Sequence, residues 1–244
     1  MEQAPVTEKR DGFLERGQQV TRVEAFVDAA FAFAVTLLVI SFDGLPRSAD
    51  ELVAAYKGIP AFAASFLLLA TFWRAHERWS RWYGMDDSHS TVLSLMLVFL
   101  VLVYVYPLRM LFAGFFHFVS NGALPADYVI RSASDLRWMF GSYAVAYGSL
   151  SFVVWLLYRH AYRQKSRLGL DIEESVLTRL TMLRWQVTIL VSLISLGLSF
   201  LIGPVLDRGF EVALPGFIYF LMFFMFPLTA WYERRYRAEE QAAA

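Results

Sequence analysis

The chain contains no cysteine, so it has no disulfides, no thiolate metal ligands and no thiol nucleophile. It also lacks an excess of either charge: 22 Lys and Arg balance 22 Asp and Glu. A nucleic-acid surface needs a concentrated basic patch, so no nucleic-acid partner is expected. GxSxG, HExxH and Gly-rich phosphate loops are all absent, and with them the common routes to hydrolase or nucleotide chemistry. The four histidines are His76, His89, His117 and His160, and no two stand at i, i+4 beside a carboxylate. No zinc site, other metal centre or cofactor is expected, and no enzyme activity. Residues 1–21 have no apolar core followed by a small-residue cleavage site. They read as a cytoplasmic N-terminal segment rather than a removable leader, leaving the first apolar helix to direct insertion.

What the chain does have is apolar length. Of its 244 residues 57% are hydrophobic, too many for an ordinary soluble domain, and they fall into long runs separated by short charged stretches. A bilayer-spanning helix needs about 20 such residues. The runs predict six spans, at about 22–42, 59–80, 90–113, 138–160, 181–203 and 213–233. Turn chemistry separates them, as in DGLPRSAD at 43–50, MDDSHS at 85–90 and SNGALPAD at 120–127. Ser48 followed by Glu51 predicts a short helix before the second span, too short to cross. The expected fold is all-α: an integral membrane six-helix bundle over 22–235, followed by a short tail at 236–244.

Orientation follows from the basic residues. With the N-terminus inside, 16 of the 22 Lys and Arg fall on the cytoplasmic side, so both termini are expected there. The basic run YRHAYRQKSR at 158–167 reads as part of this orientation signal, with an anionic-lipid contact as the alternative.

The first span, RVEAFVDAAFAFAVTLLVI, places Arg22, Glu24 and Asp28 where the chain enters the membrane. On a helix turning ~100° per residue, Phe26, Ala29, Phe33, Thr36, Leu37 and Ile40 form one stripe, and Asp28 lies well off it. A carboxylate at that depth costs about 2.5–3.5 kcal/mol unless it faces protein or water. Donors at the same depth are Arg22, Arg74, His76 and the Trp73 indole. The alternative is a partly solvated interfacial Asp that benefits from the helix dipole.

These residues also carry a resemblance. Arg22, three residues, then Phe26, Val27 and Asp28 resemble the Arg, Phe, Ser, Asp signature of the endolysosomal transmembrane protein 175 potassium channels and their bacterial relatives, with Val27 in place of Ser. The segments FWRAHERW at 72–79 and VYVYPLRMLF at 103–112 are similar to later helices of bacterial members. The resemblance implies a cell-membrane homotetramer of six-helix subunits that passes potassium in preference to sodium. Its central pore is lined by the first helix, and its constriction is made of apolar side chains. No TVGYG run is present to supply a carbonyl filter, which agrees with this. Carried over by position, the pore layers fall on Phe33, Leu37 and Ile40, with Thr36 beside them. Phe33 stands where a branched aliphatic residue is usual. Arg22, Asp28, Trp73 and His76 match the family's polar network, and Phe26 its motif. The partners implied are other copies of the chain, potassium ions and membrane lipids. A non-conducting protein on the same fold and a secondary transporter are the alternatives.

Overall fold

The structure is a computed structural model describing residues 9–10, 12–40, 47–126, 128, 130–202, 204, 209–225, 227 and 229–232. The tail at 236–244 and the first half of the loop at 43–50 lie outside the described residues.

Helix ends follow local chemistry. α1, Arg22–Ile40, opens at Thr21, whose hydroxyl accepts from the Glu24 backbone at 3.1 Å, while the Glu24 carboxylate accepts from the Thr21 N–H. Glu24, one of the charges that looked out of place, is therefore half of a cap. α2, Ala49–Lys57, is capped by Ser48 as the spacing predicts, and none of its residues is buried. α3, Ile59–Tyr83, has Pro60 in its first turn and stops at Gly84, whose φ of 56° is easily adopted without a Cβ.

α4, Ser88–Val119, starts at an Asp87 cap and carries Pro107 inside it. α5, Ala133–Arg163, and α7, Ile172–Leu201, begin with reciprocal capping boxes, Ser132 with Asp135 and Asp171 with Glu174. The four-residue α6, Lys165–Leu168, links them. Among the described residues, four helices (α3, α4, α5 and α7) are long and apolar enough to cross a membrane. All four are longer than the sequence-predicted spans, α3 at its C-terminal end, α7 at its N-terminal end, and α4 and α5 at both. At 1.5 Å per residue, the 32 residues of α4 reach ~48 Å, well beyond a hydrocarbon core of ~30 Å.

The region predicted as the last span is helical but irregular. A 3-10 turn at Gly209–Ala213 leads into α8, Leu214–Phe217, and then into a second 3-10 stretch, Ile218–Phe224. Pro215 at the start of α8 removes a donor where the helix can spare one.

The core is shared by α3, α4 and α5. Leu69, Phe72 and Trp79 belong to one continuous buried cluster with Leu97, Val101, Val105 and Leu108 and with Leu150, Val154 and Leu157. α5 and α7 approach closely because small residues face each other. A Cβ added at Gly148 would come within 3.1 Å of Ser192 Cβ. Lipid gives no hydrophobic drive between helices, so such close packing is what holds them. The N-terminal segment is not bare coil. β1, Lys9–Arg10, pairs antiparallel with β2, Phe13–Leu14, in a small hairpin against this bundle.

Candidate functional site

The two sides of α1 have different surroundings. Val27, Phe31, Ala34 and Leu38, spaced four, three and four apart, are buried against the subunit's own core, all but Phe31 completely. On the opposite side Phe26 is 54% exposed and Phe33 56%. Ala29 and Thr36 share that open side, and Leu37 sits half-buried at its edge. Five of the six stripe residues are thus accounted for, four of them on the open side. The Ile40 side chain lies outside the described residues. The Thr36 hydroxyl donates back to the Phe33 carbonyl at 2.7 Å, which leaves its oxygen lone pairs available to an outside group.

Asp28 lies on the flank between the two faces, exposed, with one oxygen accepting from the Trp73 indole N–H at 2.8 Å. Of the donors at its depth, this is the one the structure brings to it. His76, one turn further along α3, is buried, and its Nε2 lies 2.9 Å from the Ser94 hydroxyl of α4. Arg22 lies on the open side of α1. The predicted polar group is therefore spread along three helices: Asp28 with Trp73 joins α1 to α3, and His76 with Ser94 joins α3 to α4.

Two further anchors were not foreseen. At the far end of α1, buried Arg109 of α4 donates to the Leu38 carbonyl. That carbonyl is among the last four of the helix, which have no partner within it. A cation at a helix C-terminus also suits the dipole.

At the near end the preceding segment is pinned. The buried Phe13 ring stacks on Trp82 at 4.3 Å and meets Tyr83 edge-on. Arg16 is bidentate to Glu174 at 2.7 and 2.9 Å and also donates to the carbonyls of Leu14 and Leu168. Glu174 is only 1% exposed, so its charge depends on this pair. The Gly17 N–H then donates to the Arg81 carbonyl at 2.9 Å, and an added Cβ there would meet the Ser80 carbonyl oxygen at 2.4 Å. Only glycine permits that approach. α1 thus begins five residues after a fixed point and ends on another.

A separate polar group lies where α4 begins. His160 of α5 lies 2.9 and 3.1 Å from the two Asp87 oxygens, and Gln164 donates to the same carboxylate. Burial pushes the Asp87 carboxyl up, but the hydrogen bonds from His160 and Ser90 outweigh it and hold the group well below the usual carboxylate range. The His160 and His89 rings are 4.4 Å apart. Among the described residues no three His, Asp or Glu side chains converge as a metal site would require.

With this geometry in hand, the chain can be set beside known proteins. The family described as endosomal/lysosomal potassium channel TMEM175 matches residues 22–107, a stretch beginning at the first residue of α1. A potassium channel of Marivirga tractuosa is 32% identical over 216 residues, which are 86% of this chain and 85% of that one. A potassium channel of Streptomyces collinus is 30% identical over 95 residues, covering 37% of this chain and 46% of its own. Among solved structures, a threonine-to-alanine variant of the potassium channel MtTMEM175, in complex with a nanobody fusion, superposes with a TM-score of 0.77 at 28% identity. The match covers 94% of this chain and 99% of that one. A lysosomal potassium-selective channel TMEM175 homolog from Chamaesiphon minutus shares the fold, with a TM-score of 0.55 at 21% identity over 85% of this chain and 96% of that one.

Proposed function

Because this chain belongs to the TMEM175 potassium channel family, we propose that it is the subunit of a potassium channel, rather than an enzyme, and that its open α1 face lines the pore. Four copies would surround the pore as a homotetramer in the cell membrane. Each would span it six times, the irregular helical stretch that begins at Gly209 belonging to the sixth crossing, with both termini cytoplasmic. Residues 22–235 form the channel domain in this reading, flanked by the cytoplasmic segments 1–21 and 236–244. The permeant ion is potassium, and lipids surround the assembly.

One observation carries the reading. Arg22, Asp28 and Thr36 are exposed on the same helix as the exposed Phe26 and Phe33. Turned to lipid, the Asp28 charge would carry a cost that rises to about 2.5–3.5 kcal/mol at the membrane centre, so that side of the helix belongs against protein or water. An assembly with α1 at its centre provides both.

In that assembly Phe33, Leu37 and Ile40 form stacked apolar rings, with Thr36 oxygens between the first two. An apolar ring gates by dewetting: an ion passes where the ring is wide enough to keep part of its hydration, and Thr36 offers a replacement ligand beside it. Such a mechanism uses no metal or cofactor. Asp28 with Trp73, His76 with Ser94, and the motif residues Arg22 and Phe26 hold or border the pore helix.

Ion flux from liposomes holding the purified chain tests this, with potassium and sodium gradients compared and Phe33→Ile prepared alongside. Potassium-selective flux is expected. Silence in the native chain with flux in Phe33→Ile would assign Phe33 as a seal on the same pore. Silence in both folded proteins would end the channel reading.

A further inference from the structure

Beyond the pore, an open cavity of about 320 Å³ lies where α5, α6 and the start of α7 meet. Two cations from successive helices, Lys165 of α6 and Arg179 of α7, converge on it. Lys165 Nζ lies 5.4 Å from the centre of the Tyr162 ring, and the Arg179 guanidinium lies 5.3 Å from the same centre. Arg179 Nε also donates to the Tyr162 hydroxyl at 2.6 Å, which fixes its direction. Among the described residues neither cation is ion-paired to a carboxylate. The acidic group on the rim, Asp171, is engaged by Lys9, which also lies 3.7 Å from Glu173.

Two like charges held over one ring, with the neighbouring acid already neutralised, leave a net positive cavity that wants an anion. The hydroxyls of Ser166 and Ser175 line it as well and can donate to one.

We infer that this cavity binds a phosphate group, and that the phosphate is that of an anionic lipid. The location and the lining favour the lipid over a soluble anion. α7 here is still in its first turns, before the apolar run at 181–203, which is headgroup depth. Leu170 and Ile172 line the same cavity, and Ile172 is exposed, which gives a lipid's glycerol and upper acyl carbons an apolar contact beside the cations. The basic run at 158–167 is thus more than an orientation signal. Lys165 within it acts with Arg179, fourteen positions beyond.

Thermal unfolding of the full chain in neutral detergent tests the site. The additions are short-chain phosphatidylglycerol, short-chain phosphatidylcholine and inorganic phosphate. Phosphatidylglycerol is expected to raise the midpoint by roughly 2–4 °C where phosphatidylcholine does not. Lys165→Gln with Arg179→Gln should abolish that rise, while Lys165→Arg with Arg179→Lys should keep most of it. If the double variant is not recovered folded, the exposed Lys165→Gln alone should raise the half-maximal lipid concentration about fivefold. Equal shifts in native and charge-neutralised chains, or equal shifts with both lipids, would overturn the site. An equal effect of inorganic phosphate would overturn the lipid as the source of the phosphate.

Discussion

The inward and outward faces of α1 are both mainly apolar and share Phe and Ala, the inward one adding Val and Leu and the outward one Thr36, yet they have different tasks. The inward face, Val27, Phe31, Ala34 and Leu38, is filled by the subunit's own core. The outward face, Phe26, Ala29, Phe33 and Thr36, has no intrasubunit neighbours of that kind. Hydropathy cannot tell them apart, because lipid, pore and core all accept apolar side chains. What separates them is the placement of the few polar groups. Asp28 marks the boundary between the faces, Thr36 lies on the outward one, Arg109 is tied to the C-terminal end of the inward side, and Arg16 pins the segment that leads into the helix. In the proposed tetramer, an α1 fixed at both ends would present a constant surface to the other copies without relying on them for its own fold.

The difference can be broken from either side. The largest effects belong to the inward face and its anchors. Phe31→Ala should cost about 3–5 kcal/mol through the cavity it leaves. Arg16→Ala should cost about as much, because it strands the buried Glu174 carboxylate. Both should appear as lost yield or a lowered unfolding midpoint in detergent. A smaller loss, about 1.5–3 kcal/mol, is expected for Trp73→Phe, which leaves Asp28 without its indole donor. Its signature is weakened tetramer on size-exclusion chromatography with potassium preference retained. A folded tetramer with altered ion preference would place Asp28 in the permeation path instead.

Acid should act on a third region. The Asp87 carboxyl is held below its ordinary range in the folded chain, so its stabilising contribution is complete above the ordinary carboxylate pKa and is lost as pH falls toward the depressed value. The unfolding midpoint of native protein should therefore fall more between pH 6 and pH 3 than that of Asp87→Asn. Parallel curves would show that Asp87 contributes nothing to acid sensitivity. Least of all should the outward face matter to stability. Phe33→Ala should change the midpoint by an amount equivalent to less than about 0.5 kcal/mol within the subunit, while changing flux.

Much of this was legible in the sequence because it depends on local pattern. α1 begins at Arg22 as expected, the stripe follows from 3.6-residue periodicity, and depth placed the Trp73 indole among the four candidate donors to Asp28, from which the structure picks it. Ser48 and Glu51 announced α2 by their spacing. The Arg16 clamp was not legible, since Arg16 and Glu174 are 158 positions apart and both lie outside the apolar runs read as spans. Arg109 counted only as a basic residue on the outer side. Nothing local says that a cation beside Pro107 would reach a carbonyl 71 positions earlier. The helices overran their spans because hydropathy marks the hydrocarbon core, whereas caps such as Asp87 and Asp171 set the true ends in water. The irregular turns at 209–224 combine Pro215 with an aromatic-rich run that has no clean helical stripe.

Because the chain has no cysteine of its own, one measurement tests the two-faced helix directly. Thr36→Cys and Ala34→Cys, two positions apart on opposite faces, are each reconstituted for potassium flux and exposed to a charged, membrane-impermeant thiol reagent. The reagent is expected to block flux through Thr36→Cys and to leave both Ala34→Cys and the native chain unaffected. Block of Ala34→Cys with Thr36→Cys unaffected, or no block in two conducting variants whose Thr36→Cys thiol is shown to be labelled, would contradict a pore lined by the outward face.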